Sequence, residues 1–292
     1  MTPPLAFSKY QGTGNDFVMV FDPDDAEPLK PEAVADLCDR RFGVGADGLI
    51  RVVGVDRTDA RWFMDYRNAD GSEAEMCGNG VRCVAAFLRE LGVESGETFT
   101  IRTRAGVKRV SIRHVASARY RATVSMGAPN FTKAAIPMRG PAWETFLQQP
   151  FELGGGIRVI ASAVSMGNPH LVLFVEEDPD RYHVAHIGPA IEHDERFPEG
   201  VNVEFASVRD DGILARVWER GSGETMACGS GACAIAVAAN EAGLAGTRAV
   251  VRFPGGDVEV HRTAGGDVEL TGDAVRVFDG TADLDALAAG RP

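Results

Sequence analysis

Two stretches of this chain superimpose without a gap at an offset of 151 residues. Cys77-Gly78-Asn79-Gly80 leads into Val81-Arg82-Cys83-Val84-Ala85-Ala86-Phe87-Leu88-Arg89-Glu90-Leu91-Gly92. Cys228-Gly229-Ser230-Gly231 leads into Ala232-Cys233-Ala234-Ile235-Ala236-Val237-Ala238-Ala239-Asn240-Glu241-Ala242-Gly243. The cysteine, both glycines, Ala85/Ala236, Glu90/Glu241 and Gly92/Gly243 coincide, and Glu73/Glu224 upstream keep the same offset. Each stretch predicts a glycine-rich turn, then an apolar helix of about three turns that Gly92 or Gly243 ends. A thiol therefore opens a helix once in each half of the chain. Any fold has to house the two copies alike.

The likeness runs further. Gly14-Asn15-Asp16-Phe17-Val18-Met19-Val20 resembles Gly167-Asn168-Pro169-His170-Leu171-Val172-Leu173, a Gly-Asn turn feeding an apolar strand. Arg41-Phe42, Gly45, Asp47 and Leu49-Ile50 faintly mirror Arg196-Phe197, Gly200, Asn202 and Phe205. The order is conserved between the halves, which marks a two-copy duplication and not a solenoid. Most other segments read as short strands: 60–66, 98–104, 109–114, 120–126, 157–164, 213–219, 249–253, 258–260, 268–271 and 274–278. Helices are expected at 31–40, 81–91, 141–147 and 232–242, while 176–199 reads as irregular surface with some helical turns and 281–292 as a soft end. The expected class is α+β (α/β), with two pseudo-symmetric domains, each a β-rich sheet or barrel wrapped around a central helix. The first takes residues 1–127 plus 275–292 and holds Cys77; the second takes 128–274 and holds Cys228.

A net charge of −12 argues against nucleic acid as a partner, because phosphate binding needs a positive field. The one basic stretch, from Arg102 to Arg121, alternates with Ile101, Val107, Val110, Ile112 and Tyr120, the spacing of a strand's wet face. No apolar run reaches the roughly 18 residues that span a bilayer. Met1-Thr2-Pro3-Pro4 shows no basic region or apolar signal core, so the cytoplasm is the expected location and no membrane partner is expected. The five cysteines stand at 38, 77, 83, 228 and 233, in no zinc-knuckle spacing and with no completing His pair. Cys38, Cys83 and Cys233 lie in apolar helical patterns as small core residues.

That leaves two thiols at two helix starts. An ordinary cysteine is only about 3 % thiolate at neutral pH, and a helix N-terminus favours the anion. The flanking glycines let several backbone N–H groups converge, which also makes a cradle for a carboxylate. Such a pair suits inversion at a carbon beside a carboxylate: one thiolate removes the α-proton while the other thiol protonates the opposite face. A lone base tends to return the proton where it came from.

Several motifs together carry a resemblance. Lys9-Tyr10-Gln11-Gly12-Thr13-Gly14-Asn15-Asp16-Phe17, Asn68-Ala69-Asp70-Gly71-Ser72, Ser165-Met166-Gly167-Asn168-Pro169-His170 and Trp218-Glu219-Arg220-Gly221, with the two cysteine motifs, are similar to the diaminopimelate epimerase family. The resemblance implies two pseudo-symmetric domains, usually in a homodimer, with the C-terminal segment returning to the first. It also implies an isomerase that needs no cofactor, neither pyridoxal phosphate nor metal. Its substrate would be LL- or meso-diaminopimelate, in the synthesis of lysine and peptidoglycan precursors. Carried over, Cys77 and Cys228 match the proton donor and acceptor. Asn15, Asn68, Asn168, Asn202, Glu219 and Arg220 match substrate-binding positions, with Arg220 on the distal carboxylate. Gly78, Asn79, Gly229 and Ser230 match the loops that hold the reacting carboxylate. Some members carry Met-His where this chain has Tyr10-Gln11, and Gln where Gly48 stands.

Plainer readings compete at each position. Asn15, Asn168 and Asn68 are also ordinary turn residues, and Glu219-Arg220 also reads as a surface ion pair. Asn202 would be an odd polar insertion in a strand. His170 either orients a partner or caps its strand; the other histidines have no motif support. Proline racemases and hydroxyproline epimerases share the two-thiol logic, but their substrates lack the distal carboxylate that Glu219-Arg220 would read. A thiol redox protein is the rival from another class, separated by activity under full reduction.

Overall fold

The computed structural model describes residues 3–26, 28–154 and 156–289. The chain divides into two units, Met1–Val124 with Gly272–Pro292, and Ser125–Thr271. In the first unit, β1 (Leu5–Gly12) and β2 (Asn15–Asp22) join through Thr13-Gly14, both left-handed (φ 58° and 78°). Two such residues make the tight hairpin turn whose twist matches its strands. Then come α1 (Pro31–Cys38), β3 (Gly48–Gly54), β4 (Trp62–Asn68), α2 (Gly78–Glu90), β5 (Thr98–Thr103), β6 (Gly106–Ala116) and β7 (Arg119–Gly127). The second unit holds β8 (Gln149–Gly154), β9 (Ile157–Ser165), β10 (Pro169–Phe174), α3 (Val184–Glu192), β11 (Asn202–Arg209), β12 (Gly212–Glu219), β13 (Gly223–Thr225), α4 (Gly229–Glu241), β14 (Arg248–Phe253) and β15 (Gly256–Arg262). A long β16 (Val268–Ala282) and a short α5 (Leu284–Ala289) end the chain.

The duplication is visible in the pairing. β1–β2, β3–β4 and β5–β6 are antiparallel, while β2–β3 and β4–β5 are parallel. β9–β10, β11–β12 and β14–β15 are antiparallel, while β10–β11 and β12–β14 are parallel. The early residues of β16 pair with β15; from Val275 to Ala282 the strand pairs with β1. Both boundaries between the units thus fall beside or within strands, not in loops.

In each unit the strands surround one helix. α2 touches β1, β2, β3, β4 and β6; α4 touches β9, β10, β11, β14 and β15. Gly78–Leu88 and Gly229–Ala239 are buried throughout, so neither helix has a wet face along these turns. Alanine supplies much of α4, which lets strands approach on all sides. Both helices end as the glycine positions predict. Gly92 and Gly243 are left-handed (φ 72° and 69°), and the next residue returns its N–H to the carbonyl of Leu88 or Ala239. This is the Schellman closure.

Some expectations need correction. Segment 141–147 is not a helix: Lys133 N–H and Ala134 N–H bond to the carbonyls of Glu144 and Ala142, and residues 141–145 are exposed. Only Phe146, near its end, packs on the core, so a seven-residue helix has little burial to offset its nucleation cost. Conversely, 184–192 and 284–289 form the defined helices α3 and α5. Val184 and Ile191 of α3 are buried in the second core, and Leu284 and Leu287 of α5 pack on the first core beside Val34 and Leu37. The segments 268–271 and 274–278 are one strand. Most of the basic stretch is engaged by carboxylates: Arg102 with Asp59, Arg104 with Asp65, and Arg119 and Arg121 with Asp273. Among the described residues, no helix is long and apolar enough to cross a membrane.

Candidate active site

Each unit carries its own cluster around its helix-opening thiol. In the first, Cys77 caps α2 with extended backbone, and its Sγ accepts the Gly80 N–H at 3.5 Å. Its S–H donates to Asn15 Oδ1 at 3.3 Å, and Asn79 Nδ2 donates to the same oxygen at 3.5 Å. Asn15 Nδ2 donates to Asp47 Oδ2 at 2.7 Å. A carboxylate takes only donors, so Asp47 fixes which end of the amide faces the sulfur. Arg40 bridges Asp47 and Asp16, and the buried Lys9 pairs with Asp16 at 2.7 Å. Burial alone would raise the Asp16 carboxyl, but hydrogen bonds from Arg40 and Lys9, with their charge, outweigh it and hold the group at about 2.

Asn68 sits at the end of β4 and donates from Nδ2 to Ser72 Oγ at 3.0 Å, closing a turn that its backbone also closes. By register Asn68 lies beside Gly48, and Gly48 beside Phe17, so Asn68 and Asn15 share one rim of the sheet. Tyr10 is fully buried; its hydroxyl donates to Glu90 Oε2 at 2.5 Å, and burial pushes the phenol up. Gln11 Oε1 accepts the Gly14 N–H at 3.1 Å and so serves the β1–β2 turn.

In the second unit Cys228 occupies the matching place before α4 and is only 6 % exposed. Its Sγ meets Ser230 Oγ at 3.5 Å. Asn168 Nδ2 donates to Ser230 Oγ at 3.3 Å, and Asn168 Oδ1 faces His170 Nε2 at 3.0 Å. The other ring nitrogen, Nδ1, meets Glu204 Oε1 at 2.6 Å, with both side chains wholly buried. Asn202 bonds Pro169 O through Nδ2 at 2.8 Å and accepts the Arg220 N–H at 2.9 Å, tying the ends of β10, β11 and β12 together. Glu219 accepts from Thr225 at 2.5 Å, and the exposed Arg220 reaches Glu199 O at 3.1 Å. Glu219 and Arg220 therefore do not pair with each other; each has its own partner.

The electrostatics of Cys228 run against the helix-start expectation. Burial pushes its thiol well up, and the nearby Glu219 carboxylate adds to this; bonds from Ser230 and the Gly231 N–H pull the other way without prevailing. Burial likewise raises Glu219, with hydrogen bonds from Thr225 and Cys228 opposing. Desolvation by burial outweighs half a unit of helix charge. Burial and the Glu219 charge thus favour the S–H form of Cys228.

The sequence-derived residues thus collect into two groups: Cys77, Gly78, Asn79, Asn15 and Asn68 on the first unit, and Cys228, Gly229, Ser230, Asn168, Asn202, Glu219 and Arg220 on the second. Sequence reasoning missed Asp47 and Glu204. Asp47 was legible only as part of a faint repeat. Glu204 had a signal, since a carboxylate two residues beyond Asn202 on an otherwise apolar strand shares its face.

A family model described as diaminopimelate epimerase matches residues 7–132 and 162–277. A diaminopimelate epimerase from a Synechococcus species is 44 % identical over 289 residues, covering 96 % of this chain and 99 % of the relative. One from Desulfovibrio desulfuricans is 41 % identical over 287 residues, with 96 % and 99 % covered. Among solved structures, the PhzF-family phenazine biosynthesis protein of Bacillus anthracis aligns with a TM-score of 0.67 at 16 % identity, over 97 % of this chain and 100 % of that one. A probable proline racemase from Agrobacterium radiobacter gives 0.66 at 16 %, over 96 % and 93 %. Those two likenesses are of fold. The family match and the full-length relatives show that this chain belongs to the diaminopimelate epimerase family, a family of isomerases.

Proposed function

We propose that this protein interconverts LL-2,6-diaminopimelate and meso-diaminopimelate in lysine biosynthesis, without cofactor, using Cys77 and Cys228 as its two bases. One thiolate takes the α-proton and the other thiol delivers a proton to the opposite face, with the roles exchanged in reverse. The observation that carries the reading is the repeated placement of a cysteine as the N-cap of a buried helix, once in each unit. Backbone N–H groups around Gly78 and Asn79, and around Gly229 and Ser230, would take the reacting carboxylate. Such donors stabilise the charge that grows there as the very weakly acidic α-proton leaves. Asn15, Asn68, Asn168 and Asn202 would contact the substrate's polar groups. Glu219 would take its distal ammonium, and Arg220 its distal carboxylate. The reading includes a cytoplasmic location and, as the resemblance implies, a homodimeric state.

The test is incubation with LL-diaminopimelate in deuterated water under full reduction, with product analysed by mass and chirality. Meso product carrying one deuterium at the inverted carbon is expected; no exchange into that carbon would end the proposal. Replacing Arg220 by Met is expected to lower kcat/KM about 100-fold, chiefly through KM, the range for losing hydrogen bonds between charged groups. Arg220 is exposed, so circular dichroism and melting should stay as they are. Unchanged kinetics would remove Arg220 from the site.

A further inference from the structure

The two units place different chemistry at matching positions. By strand register Phe17 lies beside Gly48, with Ile50 two residues further on; His170 lies beside Asn202, with Glu204 two residues further on. The match holds against the helices as well. A Cβ added at Gly80 would lie 2.9 Å from Ile50 Cδ1, and one added at Gly231 would lie 3.0 Å from Glu204 Oε1. All four side chains are essentially unexposed. The first unit therefore places apolar side chains at both positions, with Ile50 under this helix start. In the second unit a polar pair stands there, although burying charge or carboxyl is costly where apolar groups would fill the space.

We propose that Glu204 is a positioning residue for Cys228: with His170 it holds a proton that sets the direction of a hydrogen-bond chain ending on the Cys228 sulfur. The direction follows from donors and acceptors. Glu204 Oε1 and His170 Nδ1 stand 2.6 Å apart, so one proton lies between them; two lone pairs would repel at that distance. Asn168 Oδ1 faces Nε2 at 3.0 Å, and an amide oxygen only accepts, so Nε2 carries a hydrogen of its own. The Asn168 amide is then turned with Nδ2 toward Ser230 Oγ, 3.3 Å away. Having accepted there, the Ser230 hydroxyl points its own hydrogen at Cys228 Sγ, 3.5 Å away. A donor at that point favours thiolate against the burial and the charges of Glu219 and of Glu204 itself, which oppose it. With the proton on Nδ1 alone, every link reverses: the Asn168 nitrogen faces the ring, its oxygen takes the Ser230 hydrogen, and the sulfur loses its donor. Glu204 also leaves Oε2 buried without a hydrogen-bond partner among the described residues, beside the first turn of α4, whose N-terminal partial charge favours a carboxylate.

The link to turnover rests on the two-thiol reading, but the decisive measurements need no substrate. Protein carrying Cys77→Ala is alkylated with iodoacetamide between about pH 6 and 10, and modification of the Cys228 peptide is followed by mass spectrometry. Glu204→Gln and Glu204→Met remove the same charge, but only Gln can still donate to Nδ1 and keep Nε2–H outward. Met is expected to react about tenfold more slowly than Gln at the same pH, equivalent to one pKa unit. Nitrogen-15 spectra should show Nε2 protonated in the unsubstituted protein and a mixture of ring tautomers with Met. If Met does not fold, His170→Phe with Glu204→Ile reproduces the pair of the first unit and replaces it in the comparison. Equal alkylation of the two variants, or a ring protonated on Nδ1 alone in the unsubstituted protein, overturns the proposal. A protein that shows these signatures but no diaminopimelate turnover would sink the functional reading and leave this one standing.

Discussion

Serine in place of either Cys77 or Cys228 is expected to lower turnover of LL-diaminopimelate by about three to four orders of magnitude, the upper range for removing a general acid or base. The reason is stereochemical as well as acid–base. A hydroxyl is far too weak an acid to supply an oxyanion base near neutral pH, and inversion needs a working group on each face. One surviving thiol therefore cannot take over for the other. Structure should hardly change, because serine is a favoured helix N-cap and keeps the shape of the site. The check is deuterium wash-in at the α-carbon by NMR for both variants, with circular dichroism to confirm folding. Either variant within tenfold of the parent would mean that inversion does not need two thiols.

Glutamine at Gly48 is expected to destabilise the protein by about 3 kcal/mol, the upper end for overpacking, and to lower the melting temperature by about 10 °C. A Cβ built at Gly48 lies 2.4 Å from Arg67 O and 2.7 Å from Tyr66 Cε2. The carbonyl belongs to the facing strand, where Gly48 pairs with Asn68 and Leu49 with Arg67. Relief thus requires β3 and β4 to part, and the movement would carry Asn68 with it. The Tyr66 ring is also held edge-on to Phe17, at 5.8 Å between centroids. Melting followed by circular dichroism tests it; an unchanged midpoint would mean that the close approach at Gly48 contributes nothing.

Much of this architecture was legible because it rests on local rules. Alternation along 109–114 and 120–126 marks strands with one wet face, and β6 and β7 cover them. The Cys-Gly-x-Gly motifs mark helix starts, and Gly92 and Gly243 mark the ends. Where local rules competed with packing, they failed. Pro141 looked like a helix opening, yet the residues after it stay exposed as far as Thr145. Leu284 and Leu287 looked like a loose tail, yet α1 gives them a place to dock.

Sequence alone determined the duplication, the two thiols and their positions at the heads of buried helices, because all of these are matters of residue type and spacing along one segment. Only tertiary structure decided the electrostatic setting of Cys228. Cys228 is pressed toward S–H by its burial and by Glu219, and is met by Ser230 at the end of a chain that begins at Glu204. Proton affinity depends on every charge and dipole within a few ångströms. Those neighbours come from β10, β11, β12 and α4, which are brought together only when the sheet closes around its helix.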